Sequence, residues 1–194
     1  MERVYLNELA DLLTAARGCT LCAAVLPLGP RPVFRVSPSA RLLVISQAPG
    51  TKVHGSGLPF DDASGDRLRG WMGIDRDMFY DEARMAFMPM GFCYPGRLPN
   101  GGDAPPRAEC APVWHERFLA LLPRVELILL VGGYAQRRYL GPASMTAHVR
   151  AAKAGRFMAL PHPSWRTIGW EKQNPWFGGE ILPRLKAEMV RLTR

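Results

Sequence analysis

The chain has 194 residues, 47% hydrophobic and 22% charged, a balance that excludes a disordered protein and is long enough to bury a core of its own. Its longest apolar runs, Leu42–Ile45 and Leu127–Val131, are far too short to span a bilayer, so no membrane association is expected. Lys and Arg total 25 against 17 Asp and Glu, a net charge of +8; this favours a polyanionic partner but is equally compatible with a merely basic enzyme.

The N-terminal Met1-Glu2-Arg3-Val4-Tyr5 has no basic segment followed by an apolar stretch, which makes a cytoplasmic location the expectation. Residues 4–16 carry Leu6, Leu9, Leu12 and Leu13 at helical spacing. Pro27, Pro30, Pro32 and Pro38 then impose an irregular, extended connection. Leu42–Ile45 is a continuous apolar run, the pattern of a strand buried on both faces, and Ser46–Gly50 turns it. Residues 51–65 read as a Gly-rich loop, and helical periodicity restarts over Asp66–Met72. A second strand is expected at Met85–Met90, followed by a Gly/Pro-rich loop from Cys93 to Pro106. The remaining pattern predicts a helix over 108–122, a strand over Val125–Val131, a helix over 134–140, a strand over Phe157–Leu160 and an amphipathic helix over 179–193. Strands alternating with helices predict an α/β fold. Its form is a three-layer α/β/α sandwich around a central, mainly parallel four-stranded sheet, as one domain over residues 1–194. In such sheets ligands gather beyond the carboxyl ends of the strands, which points to the loops after Ile45, Met90 and Leu160.

The four cysteines are Cys19, Cys22, Cys93 and Cys110. Cys19 and Cys22 form a C-x2-C pair, whose two thiolates can reach one metal centre. Disulfides are disfavoured in a cytosolic chain of this size. Spacing alone leaves an iron–sulfur cluster and a four-cysteine zinc site both open.

Cys19-x2-Cys22, the Pro/Gly stretch, the first strand and Gln47-Ala48-Pro49-Gly50 are followed in order by Gly57-Leu58-Pro59-Phe60, Cys93, Cys110 and His162-Pro163-Ser164. In this order, over roughly residues 15–166, the chain resembles the family 4 uracil-DNA glycosylases. The resemblance implies a 4Fe–4S cluster on Cys19, Cys22, Cys93 and Cys110, with zinc as the alternative occupant. It also implies a monomeric enzyme acting on uracil-containing DNA. The chain departs from the family pattern at Gln47, where Glu is usual, and at Met88–Cys93, which lacks the Asn that usually reads the uracil edge. Trp165–Trp170 matches the family's intercalating loop only loosely.

Cleaving a base from deoxyribose builds positive charge on the sugar and negative charge on the base, so the site must hold the flipped base, stabilise its anion and position water. His162, between two prolines after the last strand, is suited to donate a hydrogen bond to the base. Phe60 is the candidate stacking platform. Gln47, with the turn beginning at Ala48, can orient water or contact the base, and Asp61 or Asp62 can position water or stabilise the cationic sugar. Ser164 belongs to the substrate-binding motif. Arg166, with Trp165, Arg67, Arg69 and Lys52 nearby, can grip phosphates or wedge the duplex. The function these residues predict is a monofunctional DNA-repair glycosylase that releases uracil and leaves an abasic site. A non-catalytic iron–sulfur protein that binds DNA damage is the alternative, favoured by the missing Asn and Glu, and an electron-transfer protein is a third reading.

Overall fold

The structure is a computed structural model that describes residues 2–99, 101–151 and 153–193. Helix α1, Glu2–Arg17, buries Leu9, Leu12 and Ala16; Leu6, expected on the same stripe, faces solvent. After a single 3-10 turn at Ala23–Val25 the chain runs extended into strand β1, Leu42–Ile45. Along the way Arg35 exchanges two backbone hydrogen bonds with Phe87, covering the outer edge of strand β2 that would otherwise stay open to pairing.

Thr51–Ser56 forms helix α2 where Gly-rich composition predicted a loop; the amide of Gly57, in the left-handed region, closes it on the Val53 carbonyl. Helix α3 spans Ala63–Met72, longer than predicted because the Asp62 side chain caps it by accepting from the Gly65 amide at 2.9 Å. A short helix α4, Arg76–Phe79, starts in the same way on Asp75. Strand β2 is Met85–Phe87. It ends before the apolar run does because Pro89 has no amide to donate, yet Met88, Met90 and Gly91 still donate to the Val44, Ser46 and Gln47 carbonyls. Helix α5, Cys110–Ala120, leads to strand β3, Leu127–Val131, and helices α6, Gly133–Leu140, and α7, Met145–Arg150. A two-residue strand β4, Lys153–Ala154, precedes strand β5, Phe157–Leu160. A 3-10 turn at Trp165–Thr167, helix α8 at Ile168–Gln173 and a π-turn at Phe177–Ile181 lead into the C-terminal helix α9, Leu182–Thr193.

The sheet has the order β2-β1-β3-β5-β4. The predicted strands form its four parallel members, and β4 adds a short antiparallel edge that the apolar pattern does not signal. Alternation along the strands sends Leu43, Ile45, Ala86, Ile128 and Leu130 to one face, against α1, α5 and α6. Leu42, Val44, Phe87, Leu127 and Leu129 go to the other, against α3, α7 and α9. This is the three-layer α/β/α arrangement the alternating pattern predicts. Among the described residues, no helix is long and apolar enough to cross a membrane.

Candidate functional site

Parallel pairing places Ile45 opposite Leu130, and Val131 opposite Leu160. The loops that follow these strands therefore leave the sheet at one level, and a cavity of about 400 Å³ opens there, within the range usual for small-molecule sites. Gln47, Ala48, Phe60, Asp62, His162, Ser164 and Arg166 all line it. Asp61 does not; its carboxylate turns away to Arg76 at 2.9 Å, which holds it below the usual carboxylate range.

Phe60 is only 8% exposed, yet it forms part of the cavity wall as well as the core, packed edge-on against Phe79 and tilted against Phe87. It is the one described non-glycine residue in the left-handed region, at φ 58°, a conformation that costs energy in a bulky residue and persists only where the surroundings enforce it. They do so from both sides. Tyr80 donates its hydroxyl to the Pro59 carbonyl at 2.9 Å, and the Phe60 carbonyl lies 1.8 Å from where a Cβ on Gly65 would stand. Only glycine fits at position 65.

His162 follows β5 and lies against Gly132, the residue after β3. Burial holds its imidazole below the ordinary histidine value, with Asp62 and Asp103 pulling the other way. The ring is therefore biased to the neutral form, with one N–H to donate. Its loop is pinned from behind: Thr167 Oγ1 sits 2.9 Å from the His162 carbonyl, and Arg67 donates to the Ser164 carbonyl at 2.7 Å while pairing with Glu171 at 2.5 Å. Arg67 and Arg69, read from the sequence as possible phosphate grips, are thus engaged internally, Arg69 with Asp66 and over the Phe79 ring. Trp165, 75% exposed, carries the Arg166 guanidinium over its ring and stands at the cavity mouth.

Three further groups were missed by the sequence reading. Arg97 and Asp103 face each other across an antiparallel bridge and both line the cavity. The Asn100-Gly101 dipeptide between them was the available signal, since it favours tight hairpins. His115, fully buried on α5, donates from Nε2 to the Pro89 carbonyl at 3.0 Å, and its Nδ1 meets the Tyr139 hydroxyl at 2.7 Å. It fixes Pro89, another cavity residue, and nothing in its sequence neighbourhood marks that role.

The four cysteines line a second, largely apolar pocket with Leu26, Phe92 and Trp114. All four are free thiols. Burial pushes Cys110 up to about 12 and raises Cys93, and the neighbouring cysteines add to both effects. Such a set ionises together only with cationic charge among it. Arg107, the charged residue in this wall, is paired with Glu109 at 2.9 Å. The donor set is thiol only, which suits zinc or iron–sulfur chemistry. As the thiols stand, no three or more His, Cys, Asp or Glu among the described residues are grouped to chelate a single metal ion.

A family model described as the Uracil DNA glycosylase superfamily matches residues 34–186, most of the chain, and the protein belongs to that superfamily. The match covers the cavity-lining residues from Ser46 through Arg166, together with Cys93 and Cys110, and leaves Val33, Cys19 and Cys22 outside it. Its members act on DNA, a polyanion with which the net charge of +8 is compatible.

His115 generates a stability prediction. Burial lowers it from 6.5 to about 4, so below pH 6.5 the unfolded chain takes up a proton that the folded protein refuses. Its contribution is fully present above the ordinary value and is lost as pH falls toward the folded one. Urea unfolding across pH 7 to 4 should therefore show a shallower acid decline for His115→Gln than for the wild type; parallel declines would contradict it.

Proposed function

We propose that the protein is a monofunctional DNA glycosylase that hydrolyses the N-glycosidic bond of uracil, and that it carries a 4Fe–4S cluster on Cys19, Cys22, Cys93 and Cys110. The observation that carries the first part is the convergence of Phe60, Gln47, Asp62 and His162 on one cavity at the carboxyl ends of the parallel strands. A uracil extruded from the duplex enters base first and stacks against Phe60. Its edge is met by Gln47 and by backbone groups of the turns beginning at Ala48 and Phe60, in the absence of an Asn in Met88–Cys93. As the C1′–N bond lengthens, negative charge collects on the base, and the neutral His162 donates to the developing anion. Ser164 and Arg166 hold the backbone beside the mouth, and Trp165 occupies the place the base vacates.

The cluster is supported by the thiol-only donor set in one apolar pocket and by the resemblance to the family 4 enzymes; a cluster bound at its corners also accepts sulfurs set farther apart than a single zinc ion does. When bound, it supplies a covalent cross-link between the segment after α1, the loop after β2 and the first turn of α5. That loop reaches the cavity directly: Pro89 lines the cavity, and Gly91, Phe92 and Cys93 line the cysteine pocket. Phe92 donates to Cys110 Sγ at 3.3 Å and accepts from the Val33 amide at 2.7 Å, Val33 being a cavity residue. The cysteine pocket thereby braces the cavity wall.

Single-turnover assays on a uracil-containing oligonucleotide should show release of free uracil and an abasic site. His162→Ala should slow release by about 10²–10³-fold, the scale for losing one donor to a developing anion, with little change in DNA affinity. No release by the wild type, combined with tight binding to uracil DNA, would instead identify a non-catalytic damage binder.

Anaerobically purified protein should be brown and contain iron and sulfide, and Cys93→Ser should lose both together with stability. Stoichiometric zinc without iron would assign the pocket to zinc.

A further inference from the structure

Hydrolysis of a glycosidic bond needs an anion near C1′ as the sugar becomes cationic. Three carboxylates lie close enough to the cavity to be considered, and the structure separates them. Asp61 points away and is paired with Arg76. Asp62 lines the cavity, but one of its oxygens is committed to the Gly65 amide as the cap of α3. Asp103 lines the cavity too, and among the described residues its carboxylate has no hydrogen-bond or ion-pair partner.

We propose that Asp103 is the catalytic carboxylate that faces C1′, holding the attacking water and taking its proton. The inference rests on the glycosylase reading of the cavity. Its first support is depth. A flipped nucleotide enters base first, while its sugar, tethered on both sides to the DNA backbone, stays at the mouth. Phe60 is 8% exposed and forms the interior wall, whereas Asp103 is exposed and stands at the rim. The two residues divide the cavity into a base end and a sugar end.

The second support is the way Asp103 is held. Leu98 donates to the Gly102 carbonyl at 3.0 Å and Ala104 to the Gly96 carbonyl at 2.8 Å, so Asp103 is carried on a backbone-bonded hairpin. Its Oδ2 lies 3.4 Å from where a Cβ on Gly50 would stand, over the turn that also carries Gln47. The Arg166 guanidinium packs on the same hairpin, 2.8 Å from where a Cβ on Gly102 would be. Arg166 and the exposed Arg97 line the cavity together with Asp103 and bring positive charge suited to the phosphates on either side of the flipped sugar. Across the cavity, Asp103 and Asp62 both favour the proton on His162, as expected if the carboxylates and the imidazole look onto one space.

In the step itself the C1′–N bond breaks and its electron pair leaves on the base, beside His162. The water oxygen bonds to C1′, and the proton it loses passes to Asp103 and then to solvent. The base anion takes a proton from solvent, and the net change is hydrolysis. A positioned base of this kind contributes about 10²–10⁴-fold.

The test compares wild type, Asp103→Asn and Asp62→Asn in single-turnover release of uracil, alongside affinity for the abasic product duplex. Asp103→Asn should slow release by at least about 10²-fold without weakening product binding, because removing an anion from the DNA face leaves every phosphate contact in place. Asp103→Asn within threefold of the wild type would overturn the proposal while leaving the glycosylase reading intact. So would a slowed release matched by an equal loss of product affinity, which would reduce Asp103 to a support of the hairpin. A large loss in Asp62→Asn with Asp103→Asn unimpaired would move the role to Asp62. Absence of uracil release by the wild type would defeat the glycosylase reading itself and this inference with it.

Discussion

The register of the parallel sheet sets the position of everything that follows it. Each long strand is buried on both faces, so none can slide without exposing apolar surface on one side and burying backbone polar groups on the other. Gln136, 1% exposed, tightens this further: its amide nitrogen donates to the Leu130 and Leu160 carbonyls at 3.3 and 2.7 Å, tying the ends of β3 and β5 together. His162 starts two residues beyond one of those carbonyls. Its height above the sheet, and its distance from the turn carrying Gln47, are consequences of strand pairing rather than of the loop's own conformation.

The two sides of the cavity are built differently, and the difference suits the two parts of a nucleotide. The Phe60 side is over-determined. A left-handed backbone is held between the Tyr80 hydroxyl and α3, next to the aromatic packing of Phe79 and Phe87. Such a wall resists adjustment and can discriminate by shape. The opposite rim is made of exposed residues, Trp165, Arg166, Arg97 and Asp103, on a 3-10 turn and a hairpin that touch one another. Groups of this kind can adapt to a flexible phosphate backbone at small energetic cost. The thiol pocket lies behind the loop after β2, the segment that also carries Arg97 and Asp103 of that rim.

How much of this was legible in the sequence depended on whether the signal was periodic or positional. Leu42–Ile45 and Leu127–Val131 were readable as strands because burial on both faces leaves an unbroken apolar run. The edge strand β4 and helices α4, α7 and α8 were not, being too short for periodicity to register. Helix α2 was hidden because its stability comes from the Gly57 cap rather than from helix-forming composition. His162, Phe60 and Gln47, which the structure brings to one cavity, were legible as candidates because they sit in an ordered set of motifs at strand ends. Asp61 and Asp62 are neighbours whose fates only the fold could separate, one turned to Arg76 and the other to the cavity. Arg67 and Arg69 looked like surface cations, and their engagement with Glu171 and Asp66 depends on contacts that sequence spacing does not display. Asp103 and His115 are long-range partners of the cavity, and their importance lies entirely in which segments they meet in space.

The central claim is that the cavity at the carboxyl ends of the strands receives a base drawn out of the duplex. It is tested most directly by the fluorescence of 2-aminopurine placed beside a uracil whose sugar is modified to resist cleavage. Binding of the wild-type protein should raise that fluorescence, because the neighbouring base loses its stacking partner when uracil leaves the helix. The rise should be absent on a matched duplex carrying cytosine at the same position. Full binding of the uracil duplex, verified by anisotropy in the same sample, with no rise in 2-aminopurine fluorescence would show that the base stays in the stack and would contradict the account.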